Sequence, residues 1–186
     1  MPAFDCPTAW VGAGSQYLNA INDLIKDKSQ VRCIVEIGVD FGYSLFTIAR
    51  DFPNAKVFGI DSYNEYHHAP QAKSHAMSHI GMFPNAMLIE GTSDAVRKLW
   101  QKPENYLDID ILHIDGDHTY QGVSNDFNLW INAVAPDGIV MFHDIYAHDG
   151  PRKFFSELKG KKIELDQGGP GLGIWIKGSD HEEDAV

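Results

Sequence analysis

The stretch Val31–Asp61, VRCIVEIGVDFGYSLFTIARDFPNAKVFGID, decides how this chain folds. Its first apolar run, Cys33, Ile34, Val35 and Ile37, has the length of a buried strand and ends in a turn carrying Gly38 and Gly42. Leu45, Phe46, Ile48 and Ala49 then recur at helical spacing, and a second apolar run, Val57, Phe58 and Ile60, closes on Asp61. Strand, turn, helix, strand is a βαβ unit, whose parallel strands belong in a sheet covered on both faces. Ligands of such sheets sit beyond the carboxyl ends of the strands, where Gly38, Gly42 and Asp61 all fall.

The turn reads Glu36-Ile37-Gly38-Val39-Asp40-Phe41-Gly42. Its glycines let the backbone approach a ligand closely, and the helix that begins near Tyr43 and Ser44 points free N–H groups into the same space. Asp61, with Ser62 after it, ends the next strand and can accept both hydroxyls of a ribose, so an adenosine-containing ligand is the natural guest. The spacing is not the Gly-x-Gly-x-x-Gly of dinucleotide folds, and no Lys-Ser/Thr pair follows as a phosphate loop needs. Glycines required only for packing are the competing reading of the same turn.

A chain of 186 residues, 44% hydrophobic, suits one domain with a substantial core. The reading takes residues 1–178 as that domain, with 1–15 an irregular arm, and 179–186 as an acidic disordered tail holding Asp180, Glu182, Glu183 and Asp184. A formal net charge of −11 argues against nucleic acid or an anionic membrane as main partner. No stretch approaches the roughly 18 apolar residues of a membrane span, and the start lacks a basic segment followed by an apolar run, so the expected location is the cytoplasm. Cys6 and Cys33 form no metal spacing, and Cys33 reads as a small buried hydrophobe.

Along the chain, Tyr17, Leu18, Ile21, Leu24 and Ile25 predict a helix up to Lys28 that covers one sheet face. Between Ser62 and Pro84 the pattern breaks, with a helix near Gln71–Ile80 whose His75 and His79 share a face; an exposed polar face is preferred over a metal site, since no carboxylate or cysteine joins them at ligand spacing. Ala86–Ile89 is strand three. Thr92 or Ser93 then either caps the next helix, which carries Ala95, Val96, Leu99 and Trp100, or meets a purine edge. Pro103–Leu107 is a surface connection, Ile109–Ile114 strand four and Ile139–Phe142 strand five. Between them Val123, Phe127, Trp130, Ile131 and Val134 mark an amphipathic helix. A short helix with Phe154, Phe155 and Leu158 precedes strands near Ile163–Leu165 and Leu172–Ile176, whose short link, Asp166–Gly171, predicts a hairpin and hence one antiparallel strand at the sheet edge.

The chemistry-bearing residues gather at two strand ends: His113-Ile-Asp115-Gly-Asp117-His118-Thr-Tyr120 and Phe142-His143-Asp144-Ile-Tyr146. If strands four and five are neighbours, their ends lie about 5 Å apart, so Asp115 and Asp144 can face one another. Carboxylates that close repel unless they share a cation or one takes a proton, and Mg²⁺ is the simplest resolution. His118, three residues past Asp115, can take a proton from a group bound there. The alternative readings are loop N–H groups as partners for Asp144, a turn role for Asp117 and a satisfied core position for His113. Tyr120, Asp126 and Trp130 are assigned to packing and hydrogen bonding of the helix after strand four.

Three segments together, IDILHIDGDHTYQGVSNDFNLWINAVAPDGIVMFHDIY (109–146), VEIGVDFGYSLFTIA (35–49) and GPGLGIW (169–175), resemble the class I S-adenosylmethionine-dependent methyltransferases, and among them the bacterial small-molecule and sugar O-methyltransferase group related to macrolide-sugar and catechol-type metal-dependent enzymes. The resemblance implies an α/β Rossmann-like sheet of seven strands in the order 3-2-1-4-5-7-6, strand seven antiparallel, with helices on both faces. It implies S-adenosyl-L-methionine as cofactor, with Glu36, Gly38, Asp40, Gly42, Tyr43 and Ser44 around its methionine part and Asp61 and Ser62 at the ribose. Thr92 and Ser93 lie near the adenine, and Asp115 borders the same site. By the same resemblance Asp115 and Asp144 are metal ligands, for Mg²⁺, and His118 is the general base. The catechol-type pattern has a third ligand where this chain has Ile145, so His143, Asp117 or water would complete the shell. The acceptor is expected to be a small molecule or glycan, its pocket shaped by the Trp10 arm, Ser62–Pro84 and Ala147–Arg152, and a homodimer can complete the pocket of so short an enzyme. A nicotinamide-dependent oxidoreductase and a non-catalytic S-adenosylmethionine-binding domain are the competing readings.

Overall fold

The computed structural model describes residues 27–64, 68–100, 108–166 and 169–178, together with Ile21, Leu24 and Ile25. The arm 1–15 with Trp10 and Cys6, Tyr17 and Leu18 of the first helix, Pro103–Leu107 and the tail 179–186 lie outside the described residues.

Strands β1 (Cys33–Ile37), β2 (Lys56–Asp61), β3 (Ala86–Glu90), β4 (Ile109–Ile114), β5 (Val134–His143), β6 (Lys161–Leu165) and β7 (Leu172–Ile176) form one sheet in the order β3-β2-β1-β4-β5-β7-β6. β7 runs antiparallel to both β5 and β6, and the other neighbours are parallel. This is the Rossmann-like order that the resemblance implied. The hairpin argument had put the antiparallel strand at the edge, and the structure corrects it: β7 lies one place in and β6 is the edge. Composition explains the exchange, because LGIWI of β7 is buried at all but its last residue whereas KKIEL of β6 carries the charges an edge strand tolerates.

Among the described residues, the helices that accompany the sheet with both ends defined are α1 (Tyr43–Asp51), α2 (Ala69–His79), α3 (Ser93–Leu99), α4 (Tyr120–Trp130) and α5 (Asp149–Glu157). All of β1 is buried, and its residues alternate between two cores. Cys33, Val35 and Ile37 pack with Val123, Phe127 and Trp130 of α4 and with Phe154 and Phe155 of α5. Ile34 packs on the other side with Leu45, Phe46 and Ile48 of α1 and with Ile21. No helix among the described residues is long and apolar enough to cross a membrane.

Two local readings are corrected. Val134, counted as the last apolar position of the helix after strand four, is the first residue of β5. α4 ends at Trp130, a 3₁₀ turn covers Ile131–Ala133, and Val134 pairs with Ile109 before the register shifts to Ile111 and Ile139. Cross-strand pairing outweighs a periodicity that happened to continue. Leu99 of α3 is 81% exposed, so Val96 and Trp100 alone carry that helix's buried side.

Trp130 is fully buried and ties α4 to α3. Its Nε1 donates to Ser93 Oγ at 2.9 Å, its ring meets Trp100 edge-on at 5.3 Å, and the Arg97 guanidinium lies 5.6 Å from the ring centre. Trp130→Ala is expected to cost about 3–5 kcal/mol of folding stability, read as a lowered urea midpoint with an unchanged slope.

Candidate active site

The turn after β1 is held by backbone geometry that its residue types permit. Gly38 and Gly42 have φ of 85° and 87°, the left-handed region that glycine enters without strain. A methyl group on Gly38 would collide with the Asp115 carbonyl, so the turns after β1 and β4 are in direct contact. Asp115 N also donates to Ile37 O at 2.8 Å. Gly42 is the N-cap of α1, and Tyr43 and Ser44 open that helix.

Asp61 is committed to this turn. Its Oδ2 accepts from Val39 N at 2.8 Å and Asp40 N at 2.9 Å, and its Oδ1 accepts from Tyr63 N at 2.7 Å. With two donors on Oδ2 and one on Oδ1, the carboxylate pins the turn after β1 to the end of β2, and Asp61 also lines the cavity described next. Asp40, with φ of 49°, lies beside His68, whose Nε2 is 3.1 Å from its Oδ1. Burial pushes the Asp40 carboxyl above its usual range against the opposing charge of His68.

A cavity of about 980 Å³ opens at the carboxyl ends of β1, β2 and β4. Of the residues expected at a cofactor, Gly38, Asp40, Asp61, Ser62, Thr92, Ser93 and Asp115 line it. Gly42, Tyr43 and Ser44 support the turn without lining it, and Glu36 lies beneath, fully buried, with Oε1 2.8 Å from His113 Nδ1. That pairing makes His113 a satisfied core residue. Thr92 caps α3 by accepting from Ala95 N, and Ser93 accepts from Trp130. Asn125 and Asn128 of α4 form a further wall that sequence reading missed; their i, i+3 spacing on the helix's polar side was the available signal. Asp126, read as a packing residue, is buried and also lines the cavity.

At the far rim β4 and β5 bring four predicted residues together. His143 Nδ1 lies 3.1 Å from Asp115 Oδ1 and 2.9 Å from Asp144 Oδ1, while His118 Nε2 lies 3.3 Å from Asp115 Oδ1 and 3.0 Å from Asp144 Oδ2. His148, within the Ala147–Arg152 segment expected at the acceptor pocket but not singled out in it, reaches within 3.6 Å of Asp144 Oδ2. Asp117 is spent on its turn, accepting from Thr119 N and Oγ1, and Ile145 is buried in the core. His75 and His79, expected on an exposed face, are half-buried, with Nδ1 atoms 2.8 Å from the carbonyls of Phe41 and His75. No metal-capable group among the described residues includes either.

The rim cluster fixes its own charge states. Burial opposes ionisation of Asp115, but the charge of His143 and the hydrogen bond from His118 win and hold it at about 2. Asp144 is likewise lowered, its burial outweighed by His118 and His143. The contacts with Asp115 and Asp144 lift His118 to about 9, and His143, despite a burial that disfavours its charge, is raised to about 10 by the charges of Asp115 and Asp144 beside it. At neutral pH two imidazoliums therefore balance two carboxylates.

Residues 35–145 match the family described as Methyltransferase domain. The chain is 27% identical, over an alignment that covers 94% of its length, to the uncharacterized protein y4gI of Sinorhizobium fredii, and spans only 20% of that protein. Its fold is similar to that of an O-methyltransferase from Bacillus cereus solved in complex with SAH (TM-score 0.66, 17% identity, 95% of this chain and 84% of that one). It is also similar to the O-methyltransferase TomG of Streptomyces achromogenes, involved in tomaymycin synthesis and solved with SAM (TM-score 0.64, 17% identity, 90% and 80% of the two chains). With the family matching well over half of its residues and the sheet in the matching strand order, the chain belongs to the methyltransferase-domain family, in its class I fold.

Proposed function

We propose that the protein transfers the methyl group of S-adenosylmethionine to a hydroxyl of a small molecule or sugar. The observation that carries this reading is that His118, Asp115 and Asp144 line the same acidic cavity that Gly38 and Asp61 border. Among the described residues its wall holds Asp40, Asp61, Asp94, Asp115, Asp117, Asp126 and Asp144 and no Lys or Arg. Such a lining favours a cationic guest and disfavours the pyrophosphate of a nicotinamide dinucleotide. A volume near 980 Å³ is ample for an adenosyl compound beside a small acceptor.

When bound, S-adenosylmethionine supplies a methyl group made electrophilic by its sulfonium charge. The chain's own residues do the rest. Asp61 and the glycine turn hold the nucleoside end, Ile37 and Ile60 keep part of the wall apolar, and the cavity's carboxylates stabilise the positive sulfur. Once His118 has given up its own proton, its Nε2 accepts that of the acceptor hydroxyl as the carbon–oxygen bond forms, and Asp115 and Asp144 fix the imidazole's orientation. Asp115 and Asp144 present carboxylate oxygens that would hold a divalent cation such as Mg²⁺, with waters completing the shell that Ile145 leaves open, and His143 Nδ1 lies within 4.8 Å of both as a third donor for an ion that accepts nitrogen. Such an ion would lower the pKa of a bound hydroxyl and neutralise the carboxylates that keep His118 protonated.

The direct test is transfer of isotope-labelled methyl from S-adenosylmethionine to hydroxylated acceptors, with and without Mg²⁺. Binding without turnover on every acceptor would favour the non-catalytic alternative, and binding of NAD in its place the oxidoreductase. His118→Ala should lower kcat by about 10²–10⁴-fold with cofactor affinity, measured by calorimetry, unchanged; full activity would remove His118 from the scheme. In chelator-treated protein, kcat/KM should rise with pH as His118 loses its proton, with an inflection near 9 that moves to lower pH once Mg²⁺ is restored. Asp61→Ala should weaken S-adenosylmethionine binding, and an unaltered dissociation constant would reject its role.

A further inference from the structure

The two carboxylate oxygens of Asp144 keep different company. Oδ1 faces His143 on the buried side, whereas Oδ2 faces two imidazoles toward solvent, His118 Nε2 at 3.0 Å and His148 Nε2 at 3.6 Å. The His118 and His148 rings stack at 4.5 Å with 25° between their planes, and the three donor atoms lie within 4.8 Å of one another. The His143 side chain is 6% exposed, while those of His118 and His148 are 33% and 51% exposed, so this outer set is open to an ion from solution.

Two imidazole nitrogens and one carboxylate oxygen are the ligands of zinc-type borderline ions, whereas Mg²⁺ takes oxygen. A tetrahedral shell with metal bonds of roughly 2.0–2.2 Å has ligand–ligand edges of about 3.3–3.6 Å; the 3.6 Å separation matches these and the 3.0 Å separation is within a few tenths of an ångström of them. The donors are also pre-positioned. Asp144 sits at φ 62°, and its carbonyl accepts from Ala147 N at 3.1 Å and His148 N at 3.0 Å, which fixes the turn between the two ligands. Gly150 presses against the His118 carbonyl, where any side chain would collide, and so holds the loop after β5 against the loop after β4.

We propose that His118, Asp144 and His148 form a site for a zinc-type divalent ion, separate from the inner Asp115–His143–Asp144 position, and that its occupation inhibits the protein. An ion there takes the Nε2 lone pair of His118 that must accept the substrate proton. The inhibitory consequence rests on the methyl-transfer reading above; the site itself does not.

The test titrates Zn²⁺ into the full-length, chelator-stripped protein by calorimetry and follows Co²⁺ by its visible absorption. Wild-type protein should bind one ion at this site with tetrahedral-type Co²⁺ bands. His148→Ala and His148→Gln, changes at a half-exposed side chain, should each weaken Zn²⁺ by more than about 10-fold, leave S-adenosylmethionine binding intact, and raise in proportion the Zn²⁺ concentration that halves each variant's own zinc-free rate. Unchanged Zn²⁺ affinity in both His148 variants, or loss of it only in His143→Ala, would overturn the site. Zinc binding through His148 in a protein that transfers no methyl group would leave the site standing and sink the transferase reading. Methyl transfer with zinc binding indifferent to His148 would do the reverse.

Discussion

The contact between Gly38 and the backbone of Asp115 is the constraint on which the site depends. A side chain at residue 38 cannot coexist with the Asp115 carbonyl, and the Asp115 N–H is bonded to Ile37 O. The turn after β1 and the end of β4 are therefore one rigid unit, although Gly38 and Asp115 are 77 positions apart in the chain. Asp61 extends the unit to β2 by accepting the turn's N–H groups. The cavity is shaped by these backbone contacts before any ligand enters, which is the preorganisation that in-line transfer between two bound molecules requires.

The rim beyond Gly38 poses an electrostatic problem that the sheet order creates and the histidines resolve. Parallel neighbours β4 and β5 deliver Asp115 and Asp144 to one place, where two carboxylates alone would repel. His143 and His118 each lie within 3.3 Å of both acids, so the cluster is close to neutral and both carboxylates stay ionised. The same arrangement holds a proton on His118 at neutral pH. A cation that replaced part of that positive charge would free the imidazole to act as a base, so charge balance links metal occupancy to the protonation state the proposed chemistry needs.

Much of this was readable from the chain because local pattern and local geometry coincide. The apolar run Cys33–Ile37, the glycines at 38 and 42 and the helix opening at Tyr43 are consecutive, so a βαβ unit follows from periodicity and turn chemistry alone. The elements that escaped depend on partners distant in sequence. Val134 continues a helical period but is drawn into β5 by Ile109, and Leu99 looks like a core residue yet is exposed. His148 has no sequence signal beyond its residue type and becomes part of the cluster only because Gly150 brings its loop against His118.

By itself, then, the sequence determined the α/β alternation, the ligand-binding edge of the sheet and the residue types gathered there, since these follow from spacing within short windows. Tertiary structure alone decided which side chains share atoms: that Asp61 holds the turn as well as facing the cavity, that Glu36 pairs with His113 beneath the site, and that Asp144 divides its oxygens between an inner and an outer histidine set. The reason is physical. Periodicity reports which face of an element is apolar, whereas charge neutralisation and hydrogen-bond partnership are settled by strand register and loop contact, which bring together groups whose separation along the chain carries no information about their distance in space.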